Sequence, residues 1–119
     1  MIQIGFLDPY VFIGCRDSLL IVDQTTKKTI QQYSKQAIGS IIKIRKLQNT
    51  LWIVTQNSVL KWLKNKFVSV PYDPKQGTIF DLTNYKEKII AVSYPQGKIE
   101  TLTAGSFRVD QTLTKLANP

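Results

Sequence analysis

Apolar residues along the chain gather in runs of four to eight, rich in Ile, Val, Thr, Phe and Trp, which is the composition of strands. No segment sustains a helical period between caps; "QQYSKQAI" comes nearest and is short. The runs also repeat. Shifted by 40 positions, "YVFIGCRDSLLIVD" (10–23) lies on "TLWIVTQNSVLKWL" (50–63), with Phe12 over Trp52, Ile13 over Ile53, Ser18 over Ser58 and Leu20 over Leu60. A further shift of 38 brings "KIIAVSYPQGKIETL" into the same frame, with Ile90, Ala91 and Val92 under Trp52, Ile53 and Val54. Three copies at a nearly constant period predict a repeat architecture.

Each copy divides into four runs. The first are "MIQIGFL", "SIIKIRKL" and "TIFDLTNY"; the second "YVFIGC", "LWIVT" and "IIAVS"; the third "SLLIVD", "SVLKWL" and "KIETL"; the fourth "TIQQY", "FVSV" and "SFRVDQTL". Turn-forming residues separate them, among them Asp8-Pro9, Arg16-Asp17, Gln48-Asn49, Asn57, Lys64-Asn65, Pro95-Gln96-Gly97 and Ala104-Gly105. The second run of each copy is apolar at nearly every position, which predicts a strand covered on both faces. The fourth is mixed, with Gln31, Gln32 and Arg108, as an outer edge would be. The pattern therefore predicts an all-β, β-propeller-like fold of three four-stranded antiparallel blades, at about residues 1–36, 37–74 and 75–119 of one domain spanning 1–119.

"RDSLLIVD" and "QNSVLKWL" stand where WD repeats place a D-G-x-[IV]-x-[VL]-[WY]-D stretch, and the chain resembles the WD-repeat and WD-like propeller families. The strand-pair spacing of "YVFIGCRDSLLIVDQTTKKTIQQY" is similar to that in the C-terminal propellers of Roco-type kinases, JIP scaffolds and Rho exchange factors. The match departs from the family in two ways. The Gly-His pair is absent, and only Asp23 holds the terminal Asp position, where Leu63 and Leu102 stand in the other copies. The family's Trp–Asp network is therefore not carried over. The resemblance implies a scaffold that binds other proteins. Propellers close with about four to eight blades, so three make a half-propeller or a fragment. "MIQIGFL" read as an innermost strand and "SFRVDQTL" as an outermost one put both ends of the chain on blade boundaries. Two copies then form a homodimer of six blades, and a longer polypeptide completing the ring is the other expectation.

Composition narrows the chemistry. The chain has no histidine and one cysteine, which removes Ser-His-Asp and Cys-His arrangements, His-ligated metals and thiolate zinc sites. Cys15 continues an apolar run and reads as a packed small hydrophobe. The glycines are isolated, so no phosphate-binding loop is present. The eight carboxylates are scattered; Asp81 and Asp110 could converge in space, but their spacing argues for no acid–base role. The expectation is a protein that is not an enzyme, with no catalytic residue, cofactor or metal. No apolar run reaches the ~20 residues of a membrane helix, and "MIQIGFLDP" lacks a basic leader. With its lone cysteine the chain is expected to be intracellular and cytoplasmic.

Charge adds one candidate surface. The formal net charge is +8, and from Gln24 to Tyr72 there are nine Lys or Arg and no acid. "KIRK" puts Lys43 and Arg45 on one face of an innermost strand, pointing to a central channel. Lys27 and Lys28 in one turn, and Lys64 and Lys66 in the equivalent turn after Lys61, define a candidate basic rim. Such a rim fits nucleic acid or an anionic membrane as the alternative to a protein partner. Trp52 and Trp62 read as core and inter-blade packing rather than base-stacking platforms.

Overall fold

A computed structural model describes residues 2–118. The protein is all-β, with three four-stranded antiparallel sheets, each formed by four consecutive strands in simple order. The first sheet contains β1 (Gln3–Leu7), β2 (Tyr10–Gly14), β3 (Ser18–Asp23) and β4 (Thr29–Ser34). The second contains β5 (Ile41–Leu47), β6 (Thr50–Thr55), β7 (Val59–Leu63) and β8 (Lys66–Ser69), and the third β9 (Thr78–Tyr85), β10 (Lys88–Tyr94), β11 (Ile99–Thr103) and β12 (Ser106–Val109). Each of the twelve apolar runs of the sequence contributes one strand.

The turns explain why these strands pair with their neighbours. Four hairpins turn on two residues that both have positive φ: Gln48-Asn49, Lys64-Asn65, Lys86-Glu87 and Ala104-Gly105. That is the backbone of a two-residue turn whose twist matches the strands it joins. In the β3–β4 turn, the Asp23 carboxylate instead accepts the Thr25 and Thr26 N–H groups, each at 2.9 Å. These bonds hold its pKa below the ordinary value, the Thr26 amide most strongly, against the opposing effect of burial.

The sheets stack in chain order, β1 beside β5 and β5 beside β9. Packing follows the period-2 alternation of each strand. Phe12, Leu19 and Ile21 of the first sheet meet Leu51, Ile53, Leu60 and Trp62 of the second. On the opposite face of the second sheet, Trp52, Val54 and Val59 meet Ile79, Leu82, Ile89, Ala91 and Phe107 of the third. Phe12 and Trp52, repeat-equivalent in sequence, therefore occupy the same face of successive sheets; that face is called the front here, and the opposite one the back. Gly5 and Gly14 let the first seam close. A Cβ at Gly5 would press into Ile44 Cγ2 and lie 3.0 Å from Leu51 Cδ1, and one at Gly14 would lie 3.1 Å from Ile41 Cδ1.

Two expectations are corrected. Of the three second runs, only β6 is covered on both faces, with Leu51 to Thr55 all buried; β2 and β10 bury alternate residues because the first and third sheets each have a neighbour on one side only. "SFRVDQTL" is not one strand. Its backbone leaves the sheet at Asp110, whose side chain accepts the Leu113 N–H and caps α2 (Gln111–Ala117). "QQYSKQAI" likewise yields only the single turn α1 (Lys35–Ile38), capped by Ser34, and a 3₁₀ turn at Pro74–Gln76 occupies the corresponding link to the third sheet. The molecule measures 50 × 28 × 22 Å, an elongated outline that fits a row of sheets that does not return on itself.

Candidate functional site

The basic residues singled out by the sequence separate into an inner and an outer group. The inner group is on β5. The Arg45 guanidinium donates from Nε and from its second terminal nitrogen to the two carboxylate oxygens of Asp81 on β9, both at 3.1 Å. Asp81 Oδ1 also accepts the Leu82 N–H at 2.8 Å. Burial works against the Asp81 carboxylate, but Arg45, the Leu82 amide and nearby Lys43 outweigh it and hold its pKa below the ordinary value. The hydrogen bonds to Asp81, then its charge, push Arg45 above its already high value. Lys43 and Arg45 thus share a face as expected, yet the Arg45 charge is used in joining two sheets.

The outer group sits at the β3–β4 and β7–β8 turns. Lys27 and Lys28 are exposed in the first, and Lys64 and Lys66 flank Asn65 in the second. The Gln31 side-chain amide on β4 donates to the Asn65 carbonyl at 3.0 Å, which ties the outer strand of the first sheet to the second turn. Lys61, one strand inward on β7, lies 5.6 Å from the centroid of the Trp52 ring, so its charge is directed at the seam and not at the rim. The equivalent turn of the third sheet, Ala104-Gly105, carries no charge. The basic rim therefore reduces to four lysines on two turns.

Other candidates resolve as packing. Trp52 and Trp62 are both buried; Trp62 stacks edge-on against Phe12 at 5.2 Å and Phe67 at 4.8 Å between the first two sheets. Cys15 lies just past β2 and is half-buried, not packed in the core as its apolar run suggests. Asp81 and Asp110 do not converge: they sit at opposite edges of the third sheet, β9 and the end of β12. Among the described residues, no three or more Cys, Asp or Glu are grouped to hold a metal ion. No described helix is long and apolar enough to cross a membrane.

Of two further features, the first follows from three sheets that do not close and the second escaped the sequence reading. The first is a pair of open apolar faces at the ends of the row. Ile4 and Phe6 on the back of β1 are exposed at 66% and 42%, beside the half-buried Val11 and Ile13. At the other end, Ile90, Val92 and Ile99 line an open groove with Asp81 and Thr83, next to exposed Phe80 and Tyr94, whose rings meet edge-on at 6.3 Å. The alternation that names the buried face of each strand also names these residues, once it is known which sheets are terminal. The second is Glu100, completely buried on β11. It belongs to "KIETL", where the core-facing parity of Leu102 also applies to Glu100; that parity was the available signal. No protein-family model matches the chain, and no curated protein is significantly similar to it.

Proposed function

We propose that this protein is a non-catalytic interaction module whose three sheets are consecutive blades of a WD-like β-propeller. One observation carries the reading: the front of the first sheet packs on the back of the second, and the front of the second on the back of the third, using repeat-equivalent residues. A stack generated by one repeated relation continues until it meets another sheet. The front of the third sheet, with Ile90 and Val92, is the repeat-equivalent of the faces that carry Phe12 and Trp52. The back of the first, with Ile4, Val11 and Ile13, is equivalent to the faces that carry Ile53 and Ala91. A second copy docked front to back at both ends covers both open faces and gives six blades, within the range known to close. The module would act inside the cell as a scaffold for other proteins.

Native mass spectrometry and small-angle scattering test this. The expected species is a compact dimer. Ile4→Lys and Val92→Lys, each placing a charge on one open face, should each give monomers, whereas an equimolar mixture of the two variants should form a mixed pair through its one intact seam. A monomeric wild-type chain, or variants that fail to complement, would overturn the head-to-tail homodimer.

The alternative, a basic surface for nucleic acid or anionic membrane, is favoured by the Gln31–Asn65 contact, which ties the strand leaving the Lys27-Lys28 turn to the Lys64–Lys66 turn. It requires binding to RNA or acidic vesicles that weakens steeply with salt and is lost when these four lysines are replaced. Salt-independent, nuclease-insensitive protein capture supports the scaffold reading instead.

A further inference from the structure

The seam between the second and third sheets contains a buried carboxylic acid whose oxygens make no hydrogen bond. Glu100 on β11 stands between Ala91 of β10 and Val109 of β12, and its side chain is wholly inaccessible to solvent. Neither carboxyl oxygen has a hydrogen-bond partner. The Ser93 hydroxyl, the one hydrogen-bonding group that favours the charged form of this acid, donates instead to the Lys98 carbonyl at 3.3 Å. The opposing second-sheet face offers Val54 and Val59, which are apolar, and Trp52, whose indole N–H is likewise buried without a hydrogen-bond partner. Its cations act elsewhere: Arg45 bonds Asp81, Lys43 adds its charge to the field at Asp81, and Lys61 lies over the Trp52 ring. The remaining groups within electrostatic range are Asp73 and Tyr72 from the segment after β8, and Lys98 from the turn before β11.

An ionised carboxylate in such a place loses its hydration and gains no compensating bond, which is among the least favourable arrangements in a folded protein. A protonated one is close to an ordinary polar side chain. We infer that Glu100 is a proton-operated latch: with the proton bound the second and third sheets close on each other, and with the proton lost their seam loosens. Burial is the largest influence on this acid and favours the neutral form; Asp73 adds to it, while Ser93 and Lys98 oppose. The Glu100 charge in turn favours the neutral phenol of Tyr72, which burial already protects. Tyr72 pairs with Phe107 on the edge of the third sheet, and the Phe107 N–H donates to the Pro71 carbonyl at 2.9 Å. The segment that senses the Glu100 charge is thus the one that ties the two sheets together.

The direction of the pH effect follows from proton counting. The folded protein keeps a proton on Glu100 where the unfolded chain has already released it. Stability from this group is therefore complete below the ordinary glutamate value and is lost as pH rises from there towards the folded value. In that window one retained proton changes the folding constant by at most about tenfold per pH unit. This latch is independent of whether the sheets are propeller blades.

Urea unfolding of the purified chain and of Glu100→Gln, from pH 4 to 9, is the test. Gln keeps the shape and cannot ionise. The ratio of wild-type to variant folding constants should fall as pH rises above the ordinary glutamate value, and at neutral pH the Phe107 amide should exchange faster in the wild type than in the variant. Carboxyl-carbon NMR of the labelled wild type should show one glutamate titrating above the usual range. A ratio that does not change with pH, or a Glu100 carboxyl with an ordinary midpoint, would overturn the latch even if the variant folds poorly.

Discussion

Arg45 and Asp81 join the first strands of the second and third sheets, β5 and β9, through two parallel hydrogen bonds of 3.1 Å. The corresponding join between the first and second sheets uses no charge: the Gln3 side chain donates to the Ile42 carbonyl at 2.6 Å and accepts the Ile44 N–H at 3.2 Å. The two seams are alike in packing and different in their inner fastening. Because the Arg45 and Asp81 side chains are 43% and 31% exposed, solvent screens the pair, and Arg45→Ala should cost no more than about 1 kcal/mol. The Asp81 pKa is depressed in the folded state, so its contribution is present above the ordinary aspartate value and is lost as pH falls through the folded one. Unfolding curves of Asp81→Asn and wild type should converge in acid; a constant gap between them would contradict the assignment.

Gly5 is predicted to be intolerant of the smallest side chain. A methyl group there would press into Ile44 and Leu51, and the seam must open or the side chains leave their rotamers. Gly5→Ala should destabilise by about 1–3 kcal/mol, the usual range for overpacking. Chemical denaturation measures it, and a neutral result would mean that the first seam is looser than described.

Core and rim should differ sharply. Trp52 is buried between the second and third sheets, so Trp52→Ala should cost about 3–5 kcal/mol, a large share of the stability of a domain this size. Replacing Lys64 and Lys66 together with Ala should change stability by less than about 0.5 kcal/mol, since both are exposed. Thermal melts of the two variants should be far apart.

One substitution should stabilise. Ala104 holds φ at 50° in the β11–β12 hairpin, a left-handed conformation that its Cβ resists. Ala104→Gly relieves that strain at an exposed turn and should add about 0.5–1 kcal/mol, less the entropy of the freer unfolded chain. A lower midpoint in urea would show that the turn is not strained.

Much of the fold was legible before any coordinates. Strand identity depends on alternation and turn chemistry, which are local; each residue from Phe12 to Ile90 carries its own face, and pairs such as Lys64-Asn65 announce their own hairpins. Helices were less legible because they are short. Asp110 and Ser34 cap a few residues each, too few for a periodic pattern to emerge. Of the candidate site, the sequence supplied the charges but not their partners: it counted Arg45 among free cations when the fold places Asp81 against it, 36 positions away.

By itself, then, the sequence determined that the chain forms three equivalent four-stranded units with one face repeated along them. Tertiary structure decided which faces are covered, because that depends on which sheet stands beside which. It covered both faces of the second sheet, so that β6 is buried on both sides where β2 and β10 are not, and left Ile4 and Val92 at the open ends. It also enclosed Glu100 without a partner, for solvent is excluded by segments distant in sequence, and no local pattern records their approach.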